Sequence, residues 1–90
     1  MLSENLMTFV TVCENGGLTK ASDKLFVTES TVCQRIKNLE NEMGIKLIIF
    51  RRGQKAKMKL TKQGEILLKY CKNVIISEEK LKEELFHCKS

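Results

Sequence analysis

Apolar residues near the start of the chain recur every three or four positions, which is the period of an amphipathic helix. These positions share the i, i+3, i+4, i+7 spacing of one helix face: Leu6, Phe9, Val10 and Cys13. Ser3 is a suitable N-cap, because its hydroxyl can accept from a free backbone N–H of the first turn. The glycine pair at residues 16–17 can end the helix. We therefore predict a first helix from about Ser3 to Glu14.

A short second helix is predicted from the residues that follow. Thr19 is expected to be its N-cap, and Ala21 and Leu25 lie on one side of it. The small side chain of Ala21 would allow another helix to approach closely. Phe26 and Val27 are expected to end this helix at a tight turn.

The third helix, predicted from about Glu29 to Met43, has an amphipathic pattern. Thr28 is its expected N-cap, the carboxylate of Glu29 suits the helix dipole, and Gly44 ends the helix. One stripe is apolar: Val32, Ile36, Leu39 and Met43. The opposite side is polar: Ser30, Gln34, Lys37, Asn38 and Asn41. One face is thus expected to pack and the other to stay open.

The period changes from helical to alternating after Gly44. Residues 46–50 are rich in β-branched and aromatic side chains and predict a short buried strand, and residues 51–54 predict a turn. Residues 55–60 alternate strictly, with three lysines on one face and apolar side chains on the other. We expect a hairpin that packs on the core with one face and presents positive charge on the other.

Thr61 is the predicted N-cap of a last, long helix. An apolar stripe, interrupted only at Ser77, follows it: Leu67, Tyr70, Val74, Leu81, Leu85 and Cys88. The stripe would either pack on its own domain or pair with a second helix. It is longer than one small core can cover, so we favour a partner helix.

Positive charge is concentrated in the second half of the chain. Residues 1–45 hold four Lys and Arg against six Asp and Glu, whereas residues 46–90 hold twelve against five. Residues 46–62 contain seven Lys and Arg and no acid. Such a segment suits binding to a polyanion, because neighbouring carboxylates would cancel its field. A solvated lysine-rich loop is the alternative.

The four cysteines are Cys13, Cys33, Cys71 and Cys88, and they form no CxxC pair of the kind that metal sites use. We expect no metal and no cofactor. Cys13 and Cys71 fall near apolar helix faces, as small hydrophobic residues of a cytoplasmic protein would. No run approaches the ~20 apolar residues of a membrane span, and the N-terminus lacks the pattern of a secretory signal.

The order of these elements is typical of a winged helix-turn-helix. We predict a mainly α fold, with three helices plus a β-hairpin wing at residues 1–61 and a long linker or dimerisation helix at residues 62–90. The third helix is narrow enough to enter the major groove of DNA, where short polar side chains meet the base edges. The wing would place its cations on phosphates.

Three segments in this order resemble the LysR-type transcriptional regulators. They are residues 6–25 (LxxFxxVxExGGLTxASxxL), residues 28–47 (TESTVCQRIxxLExEMGIxL) and residues 60–64 (LTxxG), which together with their spacing cover almost the whole chain. The resemblance implies a transcription factor that binds double-stranded DNA as a homodimer or tetramer. It also implies a larger effector-binding domain after the linker helix.

Several residues depart from the family pattern inside the recognition segment. The family usually has Gln where this chain has Glu29, often Pro at Ser30, Ser at Cys33 and frequently Arg at Gln34. A carboxylate at position 29 would repel phosphate and can accept from the amino group of cytosine. An operator sequence therefore cannot be carried over from the family.

Three groups of site residues follow. Base contacts are expected from the N-terminal half of the third helix: Thr28, Glu29, Ser30, Thr31, Cys33, Gln34 and Lys37. Contacts with the DNA backbone or minor groove are expected from the wing: Arg51, Arg52, Gln54 and Lys55. Dimer contacts are expected from the last helix: Leu67, Tyr70, Val74, Leu81 and Leu85. We interpret Cys33 as a half-buried replacement for serine rather than a redox switch.

Other classes of function use some of the same features. A helical protein-interaction or dimerisation module would need only the apolar stripe, and the basic hairpin would be incidental. An RNA-binding domain would fit the charge but not the lack of an exposed aromatic platform. An enzyme is disfavoured, because the one histidine is His87 and no carboxylate pair or Cys–His dyad lies near a Gly-rich loop.

Overall fold

The computed structural model describes residues 2–50 and 58–87, and there the helices and strands follow the predicted order. Their bounds are α1 Glu4–Asn15, α2 Leu18–Leu25, α3 Glu29–Met43, β1 Ile48–Phe50, β2 Met58–Leu60 and α4 Lys62–His87. Helices α1, α2 and α3 pack on one another, and α4 packs on α1 and β2. The mainly α architecture with one hairpin and a long last helix is confirmed.

Local side-chain chemistry sets most of the helix ends. The hydroxyl of Ser3 accepts from Leu6 N at 3.2 Å at the start of α1. The hydroxyl of Thr28 likewise accepts from Thr31 N at 3.1 Å at the start of α3. Gly16 and Gly44 end α1 and α3 in the left-handed conformation, with φ of 71° and 66°. These four predicted ends are confirmed. The two hydroxyls and the Gly44 N–H, which donates to Glu40 O, pair with backbone groups that the helix leaves free.

The predicted start of α2 at Thr19 is wrong. The helix begins at Leu18 after the N-cap Gly17, which makes no side-chain cap bond. Two residues between α1 and α2 are enough for the chain to reverse, so Thr19 already lies inside the first turn. Its carbonyl oxygen there accepts from the Ser22 hydroxyl at 2.8 Å. Phe26 ends the helix with a φ of 56°.

The core lies where α1, α2 and α3 meet the start of the hairpin and the first turns of α4. Ala21 is fully buried, which permits the close helix approach that its small side chain predicted. The predicted stripe of α3 is buried at Val32, Ile36 and Leu39, but Met43 is 46% exposed. Met43 is the last residue of α3, where the helix has passed the core, and it lines a shallow surface pocket instead.

Helix α4 belongs in part to this core. Cys71 is fully buried and Leu67 is 8% exposed. The two residues are four positions apart, so both face the body of the domain. This corrects the assignment of Leu67 as a dimer contact, because its side chain is already covered by its own chain.

The half-buried Cys13 and the buried Cys71 are poor nucleophiles near pH 7. Burial raises the pKa of the Cys13 thiol to about 12, and burial also raises the pKa of the Cys71 thiol. Both side chains are therefore neutral thiols near pH 7 and pack as small hydrophobic groups, as predicted. Within residues 2–50 and 58–87, no cluster of three potential metal ligands is found, and none of the helices is long and apolar enough to cross a membrane.

Strand β1 of the hairpin begins later than the sequence suggests. Strands β1 and β2 are antiparallel, with Ile48 opposite Leu60 and Phe50 opposite Met58. The predicted strand began at Lys46, but the backbone of Lys46 and Leu47 bonds outside the ladder. The predicted turn at residues 51–54 lies outside the described residues.

The backbone of Leu47 is held from two sides, in a contact that we call the Leu47 junction (Glu40, Leu47, Thr61 and Gly64). One carboxylate oxygen of Glu40 on α3 accepts from Leu47 N at 2.8 Å and from Ile48 N at 3.4 Å. Leu47 O accepts from Thr61 N at 3.0 Å. The Thr61 hydroxyl accepts from Gly64 N at 3.0 Å, which confirms the predicted cap of α4. The junction thus joins α3, the hairpin and α4.

The packing at this junction predicts that Gly64→Ala destabilises the domain. A Cβ at residue 64 would overlap the carbonyl oxygen of Leu47, which is held by its bond from Thr61 N. We expect the free energy of unfolding to fall by about 2 kcal/mol in urea denaturation. Gly17→Ala is the control, because a Cβ there meets nothing within 4 Å; its effect should stay within about 0.5 kcal/mol. Equal losses in the two variants would contradict the packing argument.

The hydrogen bonds of Glu40 predict a second loss of stability. Glu40→Ala leaves the N–H groups of Leu47 and Ile48 without their carboxylate acceptor, which should cost about 2 kcal/mol in the free energy of unfolding. Glu40→Gln keeps one acceptor oxygen and should lose less. The matched control on the same helix is Glu42→Ala, since the exposed Glu42 accepts only a 3.4 Å bond from Asn5. If Glu42→Ala costs as much as Glu40→Ala, the junction has no special role.

Candidate nucleic-acid interface

One side of α3 is open to solvent along its length. Its buried side packs on α1 and α2 through Val32, Ile36 and Leu39. The opposite side, which we call the outer face of α3, is fully exposed and polar: Ser30, Gln34, Lys37, Asn38 and Asn41. This geometry suits a helix that inserts into a groove of a macromolecule, because the buried side holds the helix on the domain and the outer face offers polar groups for contact.

The predicted base-contacting residues divide by exposure. Glu29, Ser30, Gln34 and Lys37 are exposed, whereas Thr31 and Cys33 are half-buried. Thr28 is exposed, but its hydroxyl caps α3 and lies 2.9 Å from the Thr31 hydroxyl. The structure therefore brings the seven predicted residues together at the N-terminal half of α3. The hydroxyls of Thr28 and Thr31, however, already lie within hydrogen-bonding distance of each other.

Cys33 lies beside the outer face and is only partly accessible. It is a free thiol, as are the other two cysteines of the described residues. Its half-buried position agrees with our interpretation of it as a replacement for serine at the edge of the recognition surface.

The two cations of α3 have different roles. Arg35 turns back to α1, where Nη2 lies 2.6 Å from the carboxylate of Glu4 and Nη1 donates to the Thr8 hydroxyl at 3.4 Å. Its side chain is 20% exposed, so Arg35 fixes α3 against α1. Lys37 is therefore the one cation of α3 on the outer face. The sequence pattern does not predict this role of Arg35, because its position on the helix wheel lies between the buried stripe and the polar face.

An amide pair occupies the middle of the outer face. Gln34 Nε2 donates to Asn38 Oδ1 at 2.9 Å, and both side chains are exposed. Asn38 was assigned to the polar side but not to the base-contacting set. The signal that identifies it is the spacing of four residues, at which two amide side chains on a helix surface can bond.

The basic segment is described only at its two ends. Lys46, Lys59 and Lys62 are exposed. Lys46 Nζ lies 3.9 Å from Glu40, a distance that contributes little at a solvated surface. The predicted wing contacts at Arg51, Arg52, Gln54 and Lys55 lie outside the described residues.

A second exposed surface runs along α4. Tyr70, Leu81 and Leu85 are 58%, 54% and 66% exposed, and Val74 is half-buried. Tyr70, Val74 and Leu81 line one shallow groove. Sequence reasoning missed its extension onto the body of the domain, which consists of Met43, Ile45 and Ile66. Ile66 could have been found, because it precedes Tyr70 by one helical turn.

Known proteins share this arrangement. The family model described as bacterial regulatory helix-turn-helix protein, lysR family, matches residues 3–65 of the chain. The HTH-type transcriptional regulator HdfR of Escherichia coli is 32% identical over 87 residues, which are 97% of this chain and 30% of HdfR. The HTH-type transcriptional regulator BsdA of Bacillus subtilis is 31% identical, over 89% of this chain and 29% of BsdA.

A solved structure matches the fold over nearly the full length. The crystal structure of a BenM_DBD/benA site 1 DNA complex has a TM-score of 0.82 and 29% sequence identity, and the match covers 99% of this chain and 100% of that chain. The chain spans 29–30% of the length of the two curated relatives. From the family match over residues 3–65, the chain belongs to the lysR family of bacterial regulatory helix-turn-helix proteins.

Proposed function

We propose that the chain binds double-stranded DNA sequence-specifically as the DNA-binding part of a transcriptional regulator. The observation that carries this proposal is the outer face of α3, which is polar and exposed on a helix anchored by a buried apolar stripe and by Arg35. The likeness to the BenM domain, whose structure is that of a DNA complex, supports the same function. The chain acts by binding rather than by catalysis, and we place it in the cytoplasm.

Base recognition is assigned to the N-terminal half of α3, inserted in the major groove. Gln34 can accept from N6 and donate to N7 of adenine, and the carboxylate of Glu29 can accept from N4 of cytosine. Ser30 and Lys37 are exposed beside them. Thr28 and Thr31 contribute less to base recognition, because their hydroxyls already bond to each other. Cys33 lies at the edge of the contact.

Phosphate contacts are assigned to the wing. Residues 46–62 carry no acid, so no carboxylate within the segment reduces the field of its cations. Arg51, Arg52, Gln54 and Lys55 would touch the DNA backbone or the adjacent minor groove, and the exposed Lys59 on β2 would add to the field. Such contacts strengthen binding to all sequences alike, whereas the contacts of α3 distinguish one sequence from another.

Assembly is assigned to α4, as a homodimer. We retain Tyr70, Val74, Leu81 and Leu85 as partner contacts and omit the buried Leu67. The domain boundary that we propose keeps residues 1–61 as the winged helix-turn-helix and 62–90 as the linker helix, although Leu67 and Cys71 of α4 also complete the core. A two-fold dimer would place two α3 helices on half-sites separated by multiples of ~34 Å. The larger effector domain and the tetramers that the family resemblance implies are proposed for the whole regulator and not for this chain alone.

Two variants separate base recognition from phosphate binding. Duplexes selected by the chain from a random pool define the preferred sequence, and fluorescence anisotropy measures affinity across salt concentrations. Gln34→Ala should reduce the preference at one or two positions of each half-site by about 5-fold or more without changing the salt slope.

The double variant Arg52→Ala and Lys55→Ala should weaken binding to every sequence and make the log–log salt slope shallower by about one per lost phosphate contact. The assignment fails if selection enriches no sequence.

The dimer proposal predicts that charge on the α4 stripe gives a folded monomer. Leu81→Lys together with Leu85→Lys would place two ammonium groups in the proposed interface, which should raise the dimer dissociation constant at least about 100-fold. Sedimentation velocity measures the assembly, and the same variant should bind DNA weakly. Ile76→Lys is a matched control, because Ile76 is 54% exposed like Leu81 but lies on another side of α4. A wild-type chain that sediments as a monomer at high concentration would show that α4 does not drive assembly.

A further inference from the structure

We propose that Asn38 is a positioning residue that holds the amide of Gln34 in the orientation that recognises adenine. This inference rests on the proposed DNA-binding function and deepens it, because it names the base and the group that selects it. It starts from the 2.9 Å hydrogen bond from Gln34 Nε2 to Asn38 Oδ1 on the outer face of α3.

The bond to Asn38 determines which hydrogen-bonding groups of Gln34 remain free for a ligand. An amide NH2 group has two protons, and one proton of Gln34 Nε2 is already donated to Asn38. The second proton and the carbonyl oxygen Oε1 remain free. Gln34 therefore presents one donor and one acceptor side by side. That is the complement of the acceptor N7 and donor N6 that adenine shows in the major groove.

The same bond disfavours guanine at this position. Guanine presents two acceptors, N7 and O6, and would need a second donor that Gln34 has given to Asn38. Rotating the Gln34 amide by a half-turn would exchange its oxygen and nitrogen. That rotation would bring Gln34 Oε1 against Asn38 Oδ1, so the bond would persist only if the amide of Asn38 turned as well and donated Nδ2. Without Asn38, nothing in the described contacts of Gln34 would prevent the rotation.

Neighbouring side chains with other partners do not compete with the Gln34–Asn38 pair for recognition of adenine. Within the first half of α3, Gln34 is the only residue with a side-chain amide. Thr28 and Thr31 bond to each other, and Arg35 is bound to Glu4. Asn38 is one turn further along the helix, where it can orient Gln34 from behind while Gln34 enters the groove.

The test measures base preference at the operator position that is lost in Gln34→Ala. Duplexes with each base pair at that position are titrated against the wild-type chain and its variants, with thermal unfolding as a check that each variant is folded. In water such an amide pair shifts a side-chain equilibrium about 2-fold, and water exclusion at the DNA surface strengthens it. We expect Asn38→Ala to reduce the preference for adenine over guanine about 3- to 10-fold. Its salt slope should remain unchanged.

The conservative variant Asn38→Asp tests the direction of the hydrogen bond. A carboxylate can only accept, so it keeps the bond from Gln34 Nε2 and should preserve the preference for adenine. It should also weaken binding to all duplexes, because it adds a negative charge near phosphates. If Asn38→Asp loses the preference as Asn38→Ala does, then Gln34 is not the donor and the proposal is overturned.

Two further variants separate positioning from direct contact. In a Gln34→Ala background, Asn38→Ala should cause no additional loss of preference, because Asn38 acts through Gln34. Glu42→Ala, at an exposed residue of α3 outside the outer face, is the control and should leave the preference intact. An additional loss in the double variant, or an unchanged preference in Asn38→Ala, would overturn the positioning role. A wild-type chain that binds no duplex selectively would instead overturn the proposed function.

Discussion

The Leu47 junction is the contact on which the arrangement of α3, the hairpin and α4 depends. Glu40 of α3 binds the N–H groups at the start of β1, and Thr61 at the start of α4 binds the carbonyl oxygen of Leu47. Gly64 allows α4 to approach that carbonyl without a side chain between them. Because the three elements meet at one residue, these hydrogen bonds and the buried side chains of Leu47 and Ile48 together set the position of the hairpin relative to α3.

This arrangement separates the structural and recognition roles of α3. Its apolar stripe and Arg35 attach the helix to α1 and α2, and Glu40 attaches it to the hairpin. None of these side chains belongs to the outer face. The polar side chains there can thus differ from the family pattern, as at Gln34, without loss of the contacts that support the fold. A change of base preference in this family therefore does not require a change of architecture.

Different sides of helix α4 have different structural roles. Leu67 and Cys71 complete the core, whereas Tyr70, Leu81 and Leu85 stay exposed on another side of the same helix. The exposed stripe is continuous at Tyr70 with the surface of Met43 and Ile45 at the end of α3. A partner on α4 would then also contact the body of the domain, which would couple the spacing of two recognition helices to the packing of each.

The sequence alone determined the features that depend on neighbouring residues. Periodicity predicted the helices, capping chemistry predicted the ends at Ser3, Thr28 and Thr61, and the stripe of Val32, Ile36 and Leu39 predicted the buried side of α3. Only the tertiary structure decided that Leu67 is buried, that Arg35 binds Glu4 and that Glu40 binds the backbone of Leu47. The physical reason is that the partners of these side chains lie on other elements, far away along the sequence. Helical periodicity gives the side of the helix that a residue occupies, but only the fold determines which groups of other elements come within bonding distance.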